Sequence, residues 1–589
     1  MNNLLVKILV WRLKHIRDKT FVLILSGIIG IVVGFAAVTL KESVHFLQNF
    51  LRKGFEIEYA NYLFVGYPFI GILLTYLVAK YIFKEQLGHG ITSILYSISK
   101  KSSLVNRIKM ISRMFTSALT VGFGGSVGLE APIVVTGSAI GSNVGSWMHL
   151  NYKKRTILIG CGAAGAISAI FNSPVAGAIF ALEVILSEVT LAGFIPVLIA
   201  SVSASLVSLS LLGDDVLFSF KLKDSFLTTD TLFYIVLGVI CGLISVYFTR
   251  VTFWVERKIN KLKTGWKKVF VGGLALGIII FVFPPIYGEG YDTIKHLLAG
   301  QESNLLNSSL FFSQIEDITL LLIFLIGVIL IKPVASAITI GSGGSGGIFA
   351  PSLFLGGVIG FVFATIINVF FGYNISVSNF TLVGMSGIMS GVLHAPLTAM
   401  FLIAEITSGY ELFVPLMLVA AIAYTTSTFF EKHSLYTKHL IERGDLIKYD
   451  KDRQVLSLID IKKIIEKDLL KINPEATLGE LTELVKVSKR NIFPVVNEEG
   501  ELEGIVTLDD VRDIMFDTEK RSTLLVKSIM RTPPAEVAPH ENMQSVMSKF
   551  EVTSAWNLPV IEKGKYIGFL SKSRIFNTYR TKLKRQNQE

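Results

Sequence analysis

The chain has 589 residues, 51% hydrophobic and 17% charged. Soluble proteins carry about 25% charged residues, so the composition excludes a wholly soluble enzyme and points to a polytopic membrane protein. The formal net charge of +11 does not mark a nucleic-acid binder, because no stretch interleaves basic and aromatic residues as an RNA-binding module does; it fits Lys and Arg on cytoplasmic loops. Cys161 and Cys241 lie in apolar stretches, which predicts neither a disulfide framework nor a metal cluster.

In chain order, residues 1–19 read as a short amphipathic helix at the cytoplasmic surface. Leu4, Leu5, Ile8, Leu9 and Leu13 share one helical face, while scattered Lys and Arg leave no signal-peptide core. Residues 20–40 carry no charge and are long enough to span a bilayer, and 61–79 form a second candidate span. From 88 to 184 the apolar segments shorten and fill with Gly, Ala and Ser. Such texture suits broken helices that are buried in protein or line a cavity. Longer runs follow at 192–212, 231–248, 270–287 and 318–331, with polar connections at 213–229 and 288–317. Gly-broken texture returns over 341–405, and a last apolar block covers 412–430. Lys332 ends an apolar run, where a lysine either lines an aqueous mouth or snorkels to the interface.

The return of that texture is an internal repeat. Gly162, Gly165, Ser168, Pro174 and Glu183 recur as Gly384, Gly387, Ser390, Pro396 and Glu405, each displaced by the same interval. Upstream, Gly128-Leu129-Glu130-Ala131-Pro132 corresponds to Gly347-Ile348-Phe349-Ala350-Pro351. Duplicated halves with a site at their interface are a common transporter plan. The first of these loops carries an acid inside the membrane, which is costly unless paired or functional. Pro132 suits the first turn of a helix, and a helix N-terminus attracts anions. Glu130 therefore either caps its helix or competes with an anion for that end.

After about Arg443 charge becomes dense and spans disappear. Residues 468–515 and 526–579 read as two copies of a soluble α/β unit, each a strand, an amphipathic helix, two strands joined by a turn, and a helix. No catalytic triad or P-loop is visible, since the Gly-rich 341–347 lacks the Lys-Ser/Thr ending; the chain does not read as an enzyme.

Taken together, these motifs resemble the CLC family of chloride channels and chloride/proton antiporters, followed by a tandem pair of CBS domains. Gly88-His89-Gly90-Ile91 looks like the family's first anion-site motif, residues 128–132 like the second, 347–351 like the third, and Tyr436 like its pore tyrosine. The resemblance implies a polytopic α-helical membrane protein with a CLC-type inverted repeat of short, tilted helices, followed by a soluble α/β CBS pair. Its expected divisions are an N-terminal helix at 1–19 and a transmembrane domain at 20–443, with repeats at roughly 61–215 and 231–443. A linker at 444–467 leads to one CBS unit at 468–519 and to a second with the tail at 520–589. It further implies a homodimer in the lipid bilayer, with Glu130 as the gate and His89, Gly90, Ile91, Ile348, Phe349 and Tyr436 around chloride. No metal and no required cofactor are expected.

Departures from the family pattern shape the expectation. His89 stands where serine is usual, and Thr92 where proline is; the imidazole either donates to the ion or turns to a backbone carbonyl or water. Leu129 and Ala131 replace Arg and Gly beside the gate. Val184 occupies the position where antiporters usually carry an inner glutamate, and valine cannot relay a proton. Glu183 and Glu405 are expected to be structural, paired near helix ends. In the tail, Thr507 and Asp510 match a ribose-binding pair and Ser571 keeps only the hydroxyl, with Arg574 in place of Asp; ATP or another adenine nucleotide is the expected ligand, with a packing platform as the alternative. The reading is a chloride-conducting protein, channel-like or weakly proton-coupled. The alternatives are a chloride/proton antiporter and a fluoride exporter. A bacterial plasma membrane with the N-terminus and CBS units cytoplasmic is the expected location, and nucleic acid is not an expected partner.

Overall fold

The computed structural model describes Arg12, Leu456 and residues 14–53, 60–85, 87–186, 191–213, 224–301, 317–407, 409–442 and 459–588. Most of the predicted 1–19 helix, most of the 444–467 linker, and parts of the 213–229 and 288–317 connections lie outside the described residues. The chain divides into two compact units, residues 1–446 and 447–589.

In the first unit, nine helices among the described residues are long and apolar enough to cross a membrane, from Asp18–Leu51 to Phe413–Glu442. Shorter apolar helices, Pro174–Ile185, Val377–Leu393 and Pro396–Ile406, sit among them. The repeat is visible element by element. Helices Glu130–Trp147, Tyr152–Phe171 and Pro174–Phe180 of the first half answer to Phe349–Phe371, Val377–Leu393 and Pro396–Ile406 of the second. Asn172 and His394, at matching positions, both end their helices in the left-handed region, at φ 53° and 55°. Pro174 and Pro396 then open the next helices, where a missing N–H costs nothing. Ser168 and Ser390 each donate, at 2.7 Å, to a backbone carbonyl of the long helix that follows, Ser201 and Ala420.

Small residues set the helix spacing. A Cβ on Gly137 or Gly162 would strike the other's backbone, and one on Gly356 or Gly384 would do the same in the second half. The Glu130–Trp147 and Tyr152–Phe171 helices thus meet backbone to backbone, as do their repeat mates, the close approach that Gly permits.

In the second unit β1 (Ile492–Val496) pairs antiparallel with β2 (Leu502–Thr507), and β3 (Asn557–Glu562) with β4 (Lys565–Ser571). The strand expected at the start of each copy is reduced to a single parallel bridge, Ile472 to Val495 and Val537 to Val560. Pro474 and Pro539 follow two residues later and cannot donate to a longer ladder. The copies also exchange edges: Glu466 pairs with Phe569, and Arg531 with Ile505.

Candidate functional site

The loops before the Glu130 and Phe349 helices meet directly. Gly128 and Gly347 each donate their N–H to the other's carbonyl at 2.9 Å, an antiparallel bridge. The two chains leave this bridge in opposite directions and each starts a helix two residues on. Two helix N-termini are therefore brought to one place, each with free backbone N–H groups and a positive dipole end. The residues that do this, Ile348, Phe349 and Glu130, are all buried. The first helix starts at Glu130, with Pro132 inside its first turn.

Glu130 lies at this junction. Its Oε1 accepts a hydrogen bond from the Tyr291 hydroxyl. Its carboxylate faces the backbone N–H of Ala350, at the start of the opposite helix. Oε2 makes no hydrogen bond of ordinary geometry to any described residue and rests against Gly128, where a Cβ would collide with it. A Cβ there would also crowd the Cβ of Ala350, so the close meeting of the two loops favours glycine. The Tyr436 hydroxyl is a second buried polar atom with no hydrogen-bond partner among the described residues, and it lies within electrostatic reach of Glu130. Buried polar atoms are almost always satisfied, and these two, within electrostatic reach of each other, have no hydrogen-bond partner among the described residues.

The segment 286–291 braces the loop that precedes Glu130, and sequence reasoning missed it because it spans the end of the 270–287 apolar run and the start of the 288–317 polar connection. Ser126 Oγ donates to the Ile286 carbonyl at 2.7 Å, and Gly288 donates to the Gly124 carbonyl at 3.2 Å. Glu289 Oε1 accepts from the Leu129 N–H at 3.0 Å, capping the Glu130 helix from outside. Lys332 corrects its sequence reading. It neither lines a mouth nor snorkels; it is fully buried and donates to Ser126 Oγ at 2.9 Å and to the Ile286 and Gly288 carbonyls at 3.3 Å. A lysine amine thus stands behind the loop that precedes Glu130, on another helix, although Leu129 occupies the position where the family pattern has arginine.

His89 ends the first-motif loop and leads into the Gly90–Lys100 helix without capping it by its side chain. Its imidazole turns to a carboxylate, with Nε2 2.8 Å from Glu256 Oε1, a partner the sequence reading did not foresee. Gly90 and Ile91, both buried, form the first turn of that helix. Thr92 Oγ1 donates to the Tyr436 carbonyl at 3.1 Å and ties that helix to Leu435–Glu442.

Glu183 and Glu405 are arranged reciprocally. Glu405 accepts from Val175 N at 3.0 Å and Ala176 N at 2.8 Å. Glu183 accepts from Leu397 N at 3.2 Å and from Thr398 N at 2.8 Å. Each repeat's acid caps the other repeat's short helix. Val184 follows Glu183 in a π-helical turn and packs against the apolar core.

In the second unit Asp510 Oδ2 accepts from Thr507 N at 2.9 Å and Thr507 Oγ1 at 2.7 Å, a capping box, while Oδ1 pairs with Arg531. Ser571 Oγ donates to Glu466 at 2.7 Å and accepts the Arg574 N–H at 3.2 Å.

Comparison with known proteins agrees with this architecture. The chain is 26% identical over 565 residues to chloride channel protein CLC-f of Arabidopsis thaliana, covering 85% of this chain and 70% of that one. It is 29% identical over 440 residues to the H(+)/Cl(-) exchange transporter ClcA of Yersinia pestis, covering 72% and 88%. The crystal structure of a slow cyanobacterial Cl-/H+ antiporter superposes with a TM-score of 0.63 at 23% identity, over 74% of this chain and all of that one. Residues 461–517 and 526–580 each match the CBS domain. Residues 70–428 match the voltage gated chloride channel family, a family of channels and transporters, and the chain belongs to it.

Proposed function

We propose that the protein conducts chloride across a membrane, with Glu130 as a gate that blocks the path when ionised and leaves it when protonated. The observation that carries this reading is the position of Glu130. Its carboxylate lies between two helix N-termini, where an anion would be held, and one oxygen makes no hydrogen bond to the described residues. The backbone N–H groups of Gly90, Ile91, Ile348 and Phe349 and the hydroxyl of Tyr436 are the donors assigned to chloride. Such donors hold an anion without a full opposing charge, so it can also leave. Each protomer of a homodimer carries its own path. The proposed orientation has the N-terminus and the CBS tail on the cytoplasmic side, an assignment supported by the basic residues near the N-terminus.

Conduction is passive or weakly coupled to protons. Val184 is half-buried against the apolar core and offers no group to carry a proton. The test is proton movement in liposomes under a chloride gradient, with the voltage set against passive proton flow. Chloride flux without uphill proton movement supports the channel reading. Uphill movement replaces it with chloride/proton exchange, the activity named for the Yersinia and cyanobacterial relatives. Anion competition in the same vesicles separates chloride from fluoride transport.

The tail's nucleotide site is proposed at Thr507 and Asp510, with Ser571 as the weaker counterpart. Asp510 already holds Thr507 and Arg531, so a ribose would replace one of these partners.

A further inference from the structure

Three side chains far apart in sequence converge beside the Gly90 and Tyr436 elements. His89 precedes the Gly90–Lys100 helix, Glu256 lies near the end of the Thr231–Asn260 helix, and His439 shares the Leu435–Glu442 helix with Tyr436. His89 Nε2 is 2.8 Å from Glu256 Oε1, and His439 Nε2 is 3.5 Å from Glu256 Oε2. One ligand atom from each residue lies within 4.8 Å of the other two. The imidazoles stack with centroids 3.9 Å apart at 30°, and Phe253 packs on His439 with centroids 4.2 Å apart. All three side chains are about one-tenth exposed.

Two imidazoles and one carboxylate form an N/N/O donor set with a single negative charge. Such a set suits zinc and similar divalent transition metals, whereas magnesium and calcium prefer oxygen ligands. Tetrahedral ligands about 2.1 Å from zinc stand about 3.4 Å apart, against 2.8 and 3.5 Å for the two His–Glu pairs, so a bound metal would move His89 and Glu256 slightly apart. Three protein ligands leave a fourth position open, as in zinc sites that take an exchangeable ligand.

We propose that His89, Glu256 and His439 form a binding site for a divalent transition-metal cation of the zinc type, and that its occupancy slows anion passage. Thr92 already bonds to Tyr436; a metal would add a stiffer link between the same two elements. It would also place a full positive charge beside the anion's backbone donors, which holds an anion too tightly to release it quickly. The effect on flux rests on the chloride reading above, whereas metal binding does not.

The test uses the full-length protein, stripped with chelator and then dialysed against zinc. Metal per chain is counted, and cobalt substitution is followed by its visible absorption. The expected result is one zinc per chain. Affinity in His439→Gln and in Glu256→Gln should fall at least about tenfold, the loss seen even for outer partners of metal ligands. In liposomes zinc should slow chloride efflux several-fold, chelator should restore it, and both variants should lose the response. Failure to bind stoichiometric zinc, or equal binding by both folded variants, overturns the site. Zinc bound by wild type with unchanged efflux overturns the regulatory role. Zinc binding without chloride flux in any form leaves the site standing and rejects the chloride reading instead.

Discussion

The loops 128–132 and 347–351 share a backbone and differ in one side chain that matters. Both bridge each other through Gly128 and Gly347, and both open a helix two residues later. One helix begins with Glu130 and the other with Phe349. The Phe349 ring packs tilted against Phe171 and edge-on against Phe180 and has no polar function to fulfil. The Glu130 carboxylate is left facing the opposite helix end. A duplicated scaffold thus brings two helix N-termini together, and one of the two copies places a carboxylate between them, the arrangement on which the proposed gate rests. Glu183 and Glu405 sharpen the contrast. They too are acids within the membrane unit, but each is committed to two backbone N–H groups. An acid bound to fixed backbone donors is a structural part; an acid with an oxygen unbound by the described residues is one that can move.

The largest effect expected from breaking this asymmetry is at Glu130. In wild type, chloride flux should rise as pH falls, because protonation releases the gate. A single titrating group changes the open fraction by up to about tenfold per pH unit. Glu130→Gln should hold flux at or above the wild-type acid level at every pH. Flux assays across a pH series check this, and a variant that keeps its pH dependence would reject the gate.

Next come the committed acids. Glu405→Ala leaves the Val175 and Ala176 donors without their acceptor at a buried helix start, a loss of about 1–3 kcal/mol. Glu405→Gln keeps an acceptor and should lose less. Thermal denaturation in detergent orders the pair, while the pH dependence of flux should keep its form in both.

Lys332→Met keeps the apolar stem and removes the donor to Ser126, Ile286 and Gly288. The Gly288 carbonyl, left without this donor, should cost about 1–3 kcal/mol, while the Ile286 carbonyl keeps Ser126. The loosened loop should also shift the midpoint of the flux–pH curve, which a purely structural lysine far from the gate would not do.

In the tail, Asp510→Ala should remove any stabilisation by ATP of the full-length protein and lose the capping box, about 0.5–2 kcal/mol. A nucleotide-independent melting temperature in wild type would instead favour a packing platform.

The smallest effect is at Asp468. Its hydrogen bond with Arg490 lowers its pKa below the ordinary carboxylate range. A carboxylate lowered on folding adds stability above its unfolded pKa and loses it as pH falls through the folded one. Asp468→Asn should therefore destabilise the tail slightly at neutral pH, with the difference vanishing in acid. The exposure of this pair keeps the effect small.

Several elements were legible because their causes are local. Apolar length marks a span, Gly and Pro mark broken helices and their starts, and a repeated pattern of Gly, Ser, Pro and Glu marks duplicated halves. The loops around Glu130 and Phe349 could be found from the sequence for this reason. The reading of Glu183 and Glu405 as paired acids also agrees with the structure, since an uncompensated acid inside a membrane is too costly to keep. The partners were not legible. That each acid caps the other half's helix depends on how the halves interlock, and no spacing along the chain records it.

The same limit applies around Glu130 and around His89. Glu289 and Tyr291 fall in a polar connection and reach Glu130 and Leu129 because the 286–291 segment folds back onto the gate loop. Lys332 looked like an interfacial lysine, and only packing reveals three oxygens waiting for it in the interior. His89, Glu256 and His439 form no sequence motif, being 167 residues apart for the first pair. By itself the sequence determined the membrane class and the duplication, which follow from hydropathy and short repeated patterns, and its motifs carried the resemblance to the CLC family and the CBS pair. Tertiary structure alone decided which buried charges meet, because such pairings rest on distances of a few ångströms between segments that the chain order keeps far apart.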